Sequence, residues 1–173
     1  MADLMIDLET LDVNPTSTIL TIGAQGFDPF STRLTDVTYY KRLTVDSQEK
    51  RTINESTVEW WGKQSADAQE EALGDGDDRI DIKTALEEIS KIAWKHDRIW
   101  ANGITFDIGI LEDAMKQYEV TCPWKYWQVM DARTIYKVTG AKPLGNSHNA
   151  LEDCVNQIDT LQSSLKKLGI TKF

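Results

Sequence analysis

The sequence predicts an α/β fold, a mixed five-stranded sheet flanked by helices on both faces. Two observations carry this. Three strand-like segments come first, and from Ser56 onward the apolar spacing turns helical and then alternates between helix and strand. At 173 residues, with no internal repeat and no linker run, the chain reads as one domain over 1–173.

The first strand runs from Leu4 to Glu9. Leu4, Ile6 and Leu8 share one face and leave Met5, Asp7 and Glu9 on the other, so two carboxylates point the same way from a strand bound for the core. Such a pair repels itself unless it takes up protons or binds a cation. After the Asn14-Pro15 turn the second strand spans Ile19 to Phe27, and the third spans Val37 to Leu43. Ser56-Thr57-Val58-Glu59 has the form of a capping box opening a helix through Trp60 and Trp61, and a second helical piece spans Ser65 to Leu73. The Gly/Asp stretch 74–78 is a loop.

Ile82, Ala85, Leu86, Ile89, Ile92 and Ala93 then recur at helical spacing behind Asp81 as a cap, giving a helix to about His96. Arg98 to Ala101 is a short strand that runs into Asn102-Gly103-Ile104-Thr105-Phe106-Asp107. Ile108, Leu111 and Met115 mark the next helix. A strand near Trp127 to Met130 leads to a helix from about Asp131, which reads as its cap. The last helix runs from roughly Asn149 to Leu168.

Composition narrows the function. Net charge is −9, which argues against holding nucleic acid through a broad basic face. No apolar run approaches the roughly 20 residues of a membrane span, and no signal-peptide pattern is present, so a cytoplasmic protein without a membrane partner is expected. Cys122 and Cys154 lack the paired spacing of a zinc site and read as reduced thiols.

Asp107 falls where a strand ends and a helix begins, a usual place for functional groups in α/β folds. His148 and Asp153 are five apart, which on one helix would put them on different faces. They serve one site only if His148 belongs to the loop before the helix.

Asp7-x-Glu9, Asn102-Gly103-x-x-Phe106-Asp107 and His148-x-Ala150-x-x-Asp153 together resemble the three motifs of the DEDD 3′→5′ exonucleases, in the subclass whose last motif carries histidine. The resemblance spans nearly the whole chain and implies a ribonuclease-H-like fold and a single exonuclease domain. Ser56-Thr57-Val58-Glu59-Trp60-Trp61-x-x-Gln64-Ser65, Phe106-Asp107 with Ile110-Leu111, and Trp127 followed by Asp131-x-Arg133 are similar to phage-type exonucleases of the exodeoxyribonuclease A kind and their bacterial exoribonuclease relatives. Leu11 and Asp12 depart from the Thr-Gly of the proofreading pattern, so a free-standing nuclease is expected.

The resemblance implies two Mg²⁺ or Mn²⁺ ions held by Asp7, Glu9, Asp107 and Asp153, with His148 as general base. It implies release of nucleoside 5′-monophosphates from single-stranded DNA or RNA 3′ ends, with DNA favoured by the narrower likeness. Two adjacent tryptophans cannot both be buried equally on a helix, so one is expected to be free for base stacking. The expected substrate contacts are Leu8, Thr10, Trp61, Asn102, Phe106 and Lys142. Likeness to ribonuclease T and oligoribonuclease extends to a homodimer, which these residues do not themselves argue. The competing class is a non-catalytic nucleic-acid-binding module. In such a module the five catalytic positions would be free to differ.

Overall fold

Both faces of the first strand are covered by helices, and it lies at the middle of the sheet. The computed structural model describes residues 2–145 and 147–173. Strand β1 (Asp3–Thr10) pairs antiparallel with β2 (Ile19–Phe27), and β2 pairs antiparallel with β3 (Leu34–Arg42). On its other side β1 pairs parallel with β4 (Ile99–Ala101), which pairs parallel with β5 (Val129–Asp131). The order is β3-β2-β1-β4-β5.

The helices are α1 (Glu55–Trp61), α2 (Ala66–Leu73), α3 (Ile82–Ala93), α4 (Asp107–Gln117), α5 (Ala132–Thr139) and α6 (Ala150–Lys167). Leu4, Ile6 and Leu8 bury one face of β1 against Ile82, Leu86 and Ile89 of α3 and Ile108, Leu111 and Met115 of α4. Met5 on the opposite face packs with Tyr136 of α5 and Cys154, Ile158 and Leu161 of α6. Each fully buried aliphatic side chain contributes roughly 1.5–3 kcal/mol, so the alternation along β1 fixes which acids face α6. No described helix is long and apolar enough to cross a membrane.

The chain departs from the sequence reading in a few places. Helix α1 is capped by Asn54, whose side chain accepts from the Ser56 N–H and hydroxyl, so Ser56 is not the cap. Strand β3 starts at Leu34, three residues early, because β2 continues to pair as far as Phe27 with Leu34. Helix α3 ends at Ala93, and the following turn lets His96 Nδ1 meet the Ile92 carbonyl at 2.9 Å. Trp127 lies in a 3₁₀ turn (Tyr126–Gln128) before β5 and is 65% exposed, so its apolar character does not mark a strand.

Asp81 and Asp131 cap their helices as expected, Ser65 and Asn149 cap theirs as well, and one close approach matters most. Gly23 of β2 lies directly under the start of α6, where a Cβ would sit 2.3 Å from the Ala150 carbonyl carbon. Glycine at that point lets the helix reach the sheet.

Candidate active site

Beyond Met5 the α6-facing side of β1 turns from apolar to acidic. Asp7 and Glu9 there meet the first turns of α6. Asp107 reaches the same place from the start of α4. The β1–β4 ladder ends at Met5 and Trp100, and beyond it the Asp107 Oδ1 accepts the Leu8 N–H at 3.0 Å. This bond ties the end of one loop to the strand that carries the other two acids.

Asp153 lies in the first turn of α6, and its Oδ1 accepts from both the Ser147 amide (3.1 Å) and hydroxyl (3.0 Å). His148 follows at φ 54°, outside the helix that begins at Ala150. The histidine therefore belongs to the loop, as the spacing required. Gln157, one turn beyond Asp153, donates Nε2 to Asp7 Oδ1 at 2.9 Å. Sequence reading missed Ser147 and Gln157. The i, i+4 spacing of Asp153 and Gln157 on one helix face was the available signal for the second.

All five expected catalytic residues line one cavity of about 630 Å³, within the roughly 300–1,000 Å³ range of pockets that enclose small ligands. Leu8, Thr10, Trp61, Asn102 and Phe106 border it as well. Lys142 does not. Gly140 ends α5 in a left-handed turn, and Lys142 leaves along a separate shallow hollow beside Asp159 and Lys167 before the loop returns to the cavity at Pro143. Among the described residues, no lysine or arginine lines the cavity.

The two tryptophans divide their roles opposite to expectation. Trp61 is 1% exposed and donates its indole N–H to the Thr10 carbonyl at 2.9 Å, while Trp60 is 42% exposed. Thr10 spends its own hydroxyl proton on the Asp12 carbonyl at 2.7 Å and keeps only acceptor capacity. Asp12, the departure noted after Thr10, accepts from the Val13 amide, Asn14 and Thr52, and so closes the turn between β1 and β2.

Burial raises all four carboxyls. Asp7 stands well above its ordinary range, through burial first and then the charge of Asp107. Glu9 is pushed up to about 9 by burial and then by Asp7 and Asp153. Burial lifts Asp107 to about 8 although the Leu8 amide opposes it. Asp153 rises by burial against the two Ser147 hydrogen bonds. Carboxyls that cannot ionise together form the donor set that a hard cation neutralises. Asp7, Glu9 and Asp153 each offer an oxygen, and these atoms all lie within 4.8 Å of one another. The residues fit a divalent ion.

A pH and metal dependence follows. Glu9 binds its proton more tightly folded than unfolded, so without metal the stability it lends is present below its ordinary 4.5 and is lost as pH rises toward about 9. In chelator, the Tm is expected to fall across that window. Millimolar Mn²⁺ or Mg²⁺ raises it, most at the alkaline end. A Tm indifferent to either ion at alkaline pH would refute the donor set.

The sequence matches an existing family. The profile of the 3′-5′ exoribonuclease Rv2179c-like domain covers residues 2–165. The chain belongs to this family. It is a 3′→5′ exonuclease. Exodeoxyribonuclease of Enterobacteria phage T4 is 22% identical over 96% of this chain and 90% of its own. Among solved structures, S. pombe Pop2p in its Mg²⁺- and Mn²⁺-bound form superposes with a TM-score of 0.65 at 13% identity, over 99% of this chain and 85% of that one. The nuclease domain of 3′hExo, a DEDDh member bound to rAMP, gives 0.63 at 12% identity, over 99% and 94%. The chain spans 65% of the length of another neighbour, cell-death related nuclease 4 (CRN-4). These likenesses establish the ribonuclease-H-like sheet and its helices.

Proposed function

We propose that the protein removes nucleoside 5′-monophosphates one at a time from single-stranded 3′ ends, using two divalent cations, Mg²⁺ or Mn²⁺. The observation that carries this reading is the convergence of the half-buried Asp7 and the buried Glu9, Asp107 and Asp153 with His148 in one cavity. The family description favours RNA over the DNA expected from the sequence. DNA is the second reading, favoured by the phage T4 exodeoxyribonuclease.

Asp7, Glu9, Asp107 and Asp153 would hold the cations, with Asp7 central because it feels both Asp107 and Asp153. When bound, the ions lower the pKa of the attacking water and neutralise charge at the scissile phosphate. This also answers the charge objection: among the described residues no lysine or arginine lines the cavity, and bound ions would supply positive charge there. His148 accepts the water's proton at a ring nitrogen. Attack runs in line at phosphorus and expels the 3′ oxygen of the shortened chain.

Leu8 and Phe106 offer apolar contact to the terminal base. Thr10 and Asn102 orient its sugar. Gln157 holds Asp7 in place, and Ser147 holds Asp153.

The test uses 5′-labelled single-stranded RNA and DNA of equal sequence with Mn²⁺, resolved nucleotide by nucleotide, with chelated controls. A metal-dependent ladder shortening from the 3′ end, faster on RNA, is the expected result. Faster shortening of DNA would promote the second reading. No cleavage of either polymer by folded protein whose Tm responds to metal would leave a nucleic-acid-binding module instead.

A further inference from the structure

The proton acceptor of the proposed reaction has an unusual support. His148 occupies the left-handed backbone region at φ 54°, which is uncommon for residues other than glycine, though less so for asparagine, aspartate and histidine, and which persists where the surroundings hold it. Ser147 fixes the adjoining backbone through its two bonds to Asp153. Nothing comparable fixes the ring. Among the described residues, no hydrogen bond reaches either imidazole nitrogen. A general base is ordinarily oriented by a third group bonded to its far nitrogen.

Two indoles pack against the ring. The His148 ring stands perpendicular to Trp60 (centroids 5.0 Å apart, planes at 89°) and at 71° to Trp61 (5.8 Å). The indoles themselves meet edge to face at 5.1 Å. Edge-to-face contact at such separations is the favoured arrangement of aromatic rings. Trp61 is immobilised by burial and by its bond to the Thr10 carbonyl, and Trp60 closes the outer side.

We infer that Trp60 is a positioning residue: with Trp61 behind it, its indole holds the His148 imidazole at the acid cluster, so that packing, not a hydrogen bond, orients the proton acceptor. Both ring nitrogens then stay free to carry the proton. The inference rests on the reading of His148 as general base. It also changes the meaning of Trp60's exposure, which otherwise suggests a stacking platform for a base.

The experiment measures kcat and KM for Trp60→Leu and Trp60→Phe, each alone and combined with His148→Ala. Trp60→Leu is expected to lower kcat about 3- to 10-fold at nearly constant KM, the size of one aromatic pair's coupling. Trp60→Phe recovers most of the loss, and in the His148→Ala background Trp60→Leu has no further effect. A rise in KM of equal size in both backgrounds would overturn the inference and make Trp60 a base-stacking residue.

A second readout does not depend on activity. The chain has 2 histidines, and the other, His96, is 7% exposed with its Nδ1 at the Ile92 carbonyl. Trp60→Leu should move the His148 ring-proton resonances and leave those of His96 in place. Unmoved His148 resonances would overturn the inference. Full turnover in His148→Ala would instead sink the general-base assignment, and the resonance comparison would then decide the ring contact by itself.

Discussion

Replacing His148 with alanine is expected to lower turnover by about 10²- to 10⁴-fold, the usual contribution of a positioned general base. The same variant should keep the full metal-induced rise in Tm, because Asp7, Glu9, Asp107 and Asp153 are untouched and three of them supply the 4.8 Å oxygen set. The two readouts separate roles that one activity assay would merge. Asp7→Asn is the matching control, since it removes a charge from the centre of the donor set and should abolish both turnover and the metal response. If His148→Ala loses the metal response as well, the histidine is a ligand and its assignment as base is wrong.

The second large effect concerns a residue without a side chain, which pairs with Asp7 across the β1–β2 ladder. Gly23→Ala places a methyl group 2.3 Å from the Ala150 carbonyl carbon and 2.5 Å from the Leu151 nitrogen. These are backbone atoms at the start of a helix, and neither can rotate away. The start of α6 must lift, and it carries Asp153 and Gln157 and follows directly on His148. Overpacking of this kind costs about 1–3 kcal/mol in stability. Displacement of catalytic groups by about 1 Å can cost on the order of 10²-fold in rate. Urea unfolding and kcat/KM on one preparation check both. Wild-type stability together with wild-type activity would mean that α6 does not need this approach to β2.

Much of this was legible in the residues because it depends on local chemistry. Period-two alternation in β1 was sufficient to put Asp7 and Glu9 on one face, since a strand has no other way to bury Leu4, Ile6 and Leu8 together. Asp81 and Asp131 could be read as caps because the capping bond spans two or three residues. The cap at Asn54 was misplaced to Ser56 for the same local reason: both side chains can cap, and in the fold they bond to each other. That one of two adjacent tryptophans must turn outward followed from helix geometry. Which one did so depended on the Thr10 carbonyl, 51 positions away in sequence.

By itself, then, the sequence determined the alternating elements, the three motifs that carry the acids and the histidine, and the family they resemble. Tertiary structure decided what surrounds them. Gln157 reaches Asp7 across 150 positions, and Asp107 reaches the Leu8 amide across 99, because β1 lies between β2 and β4 and α6 descends onto Gly23. The same packing sent Lys142 out of the cavity and brought the Trp60 indole onto His148. Caps and strand faces are set by neighbours a few residues apart. Contacts of that longer range depend on which helix covers which face of the sheet, and only the assembled fold specifies that.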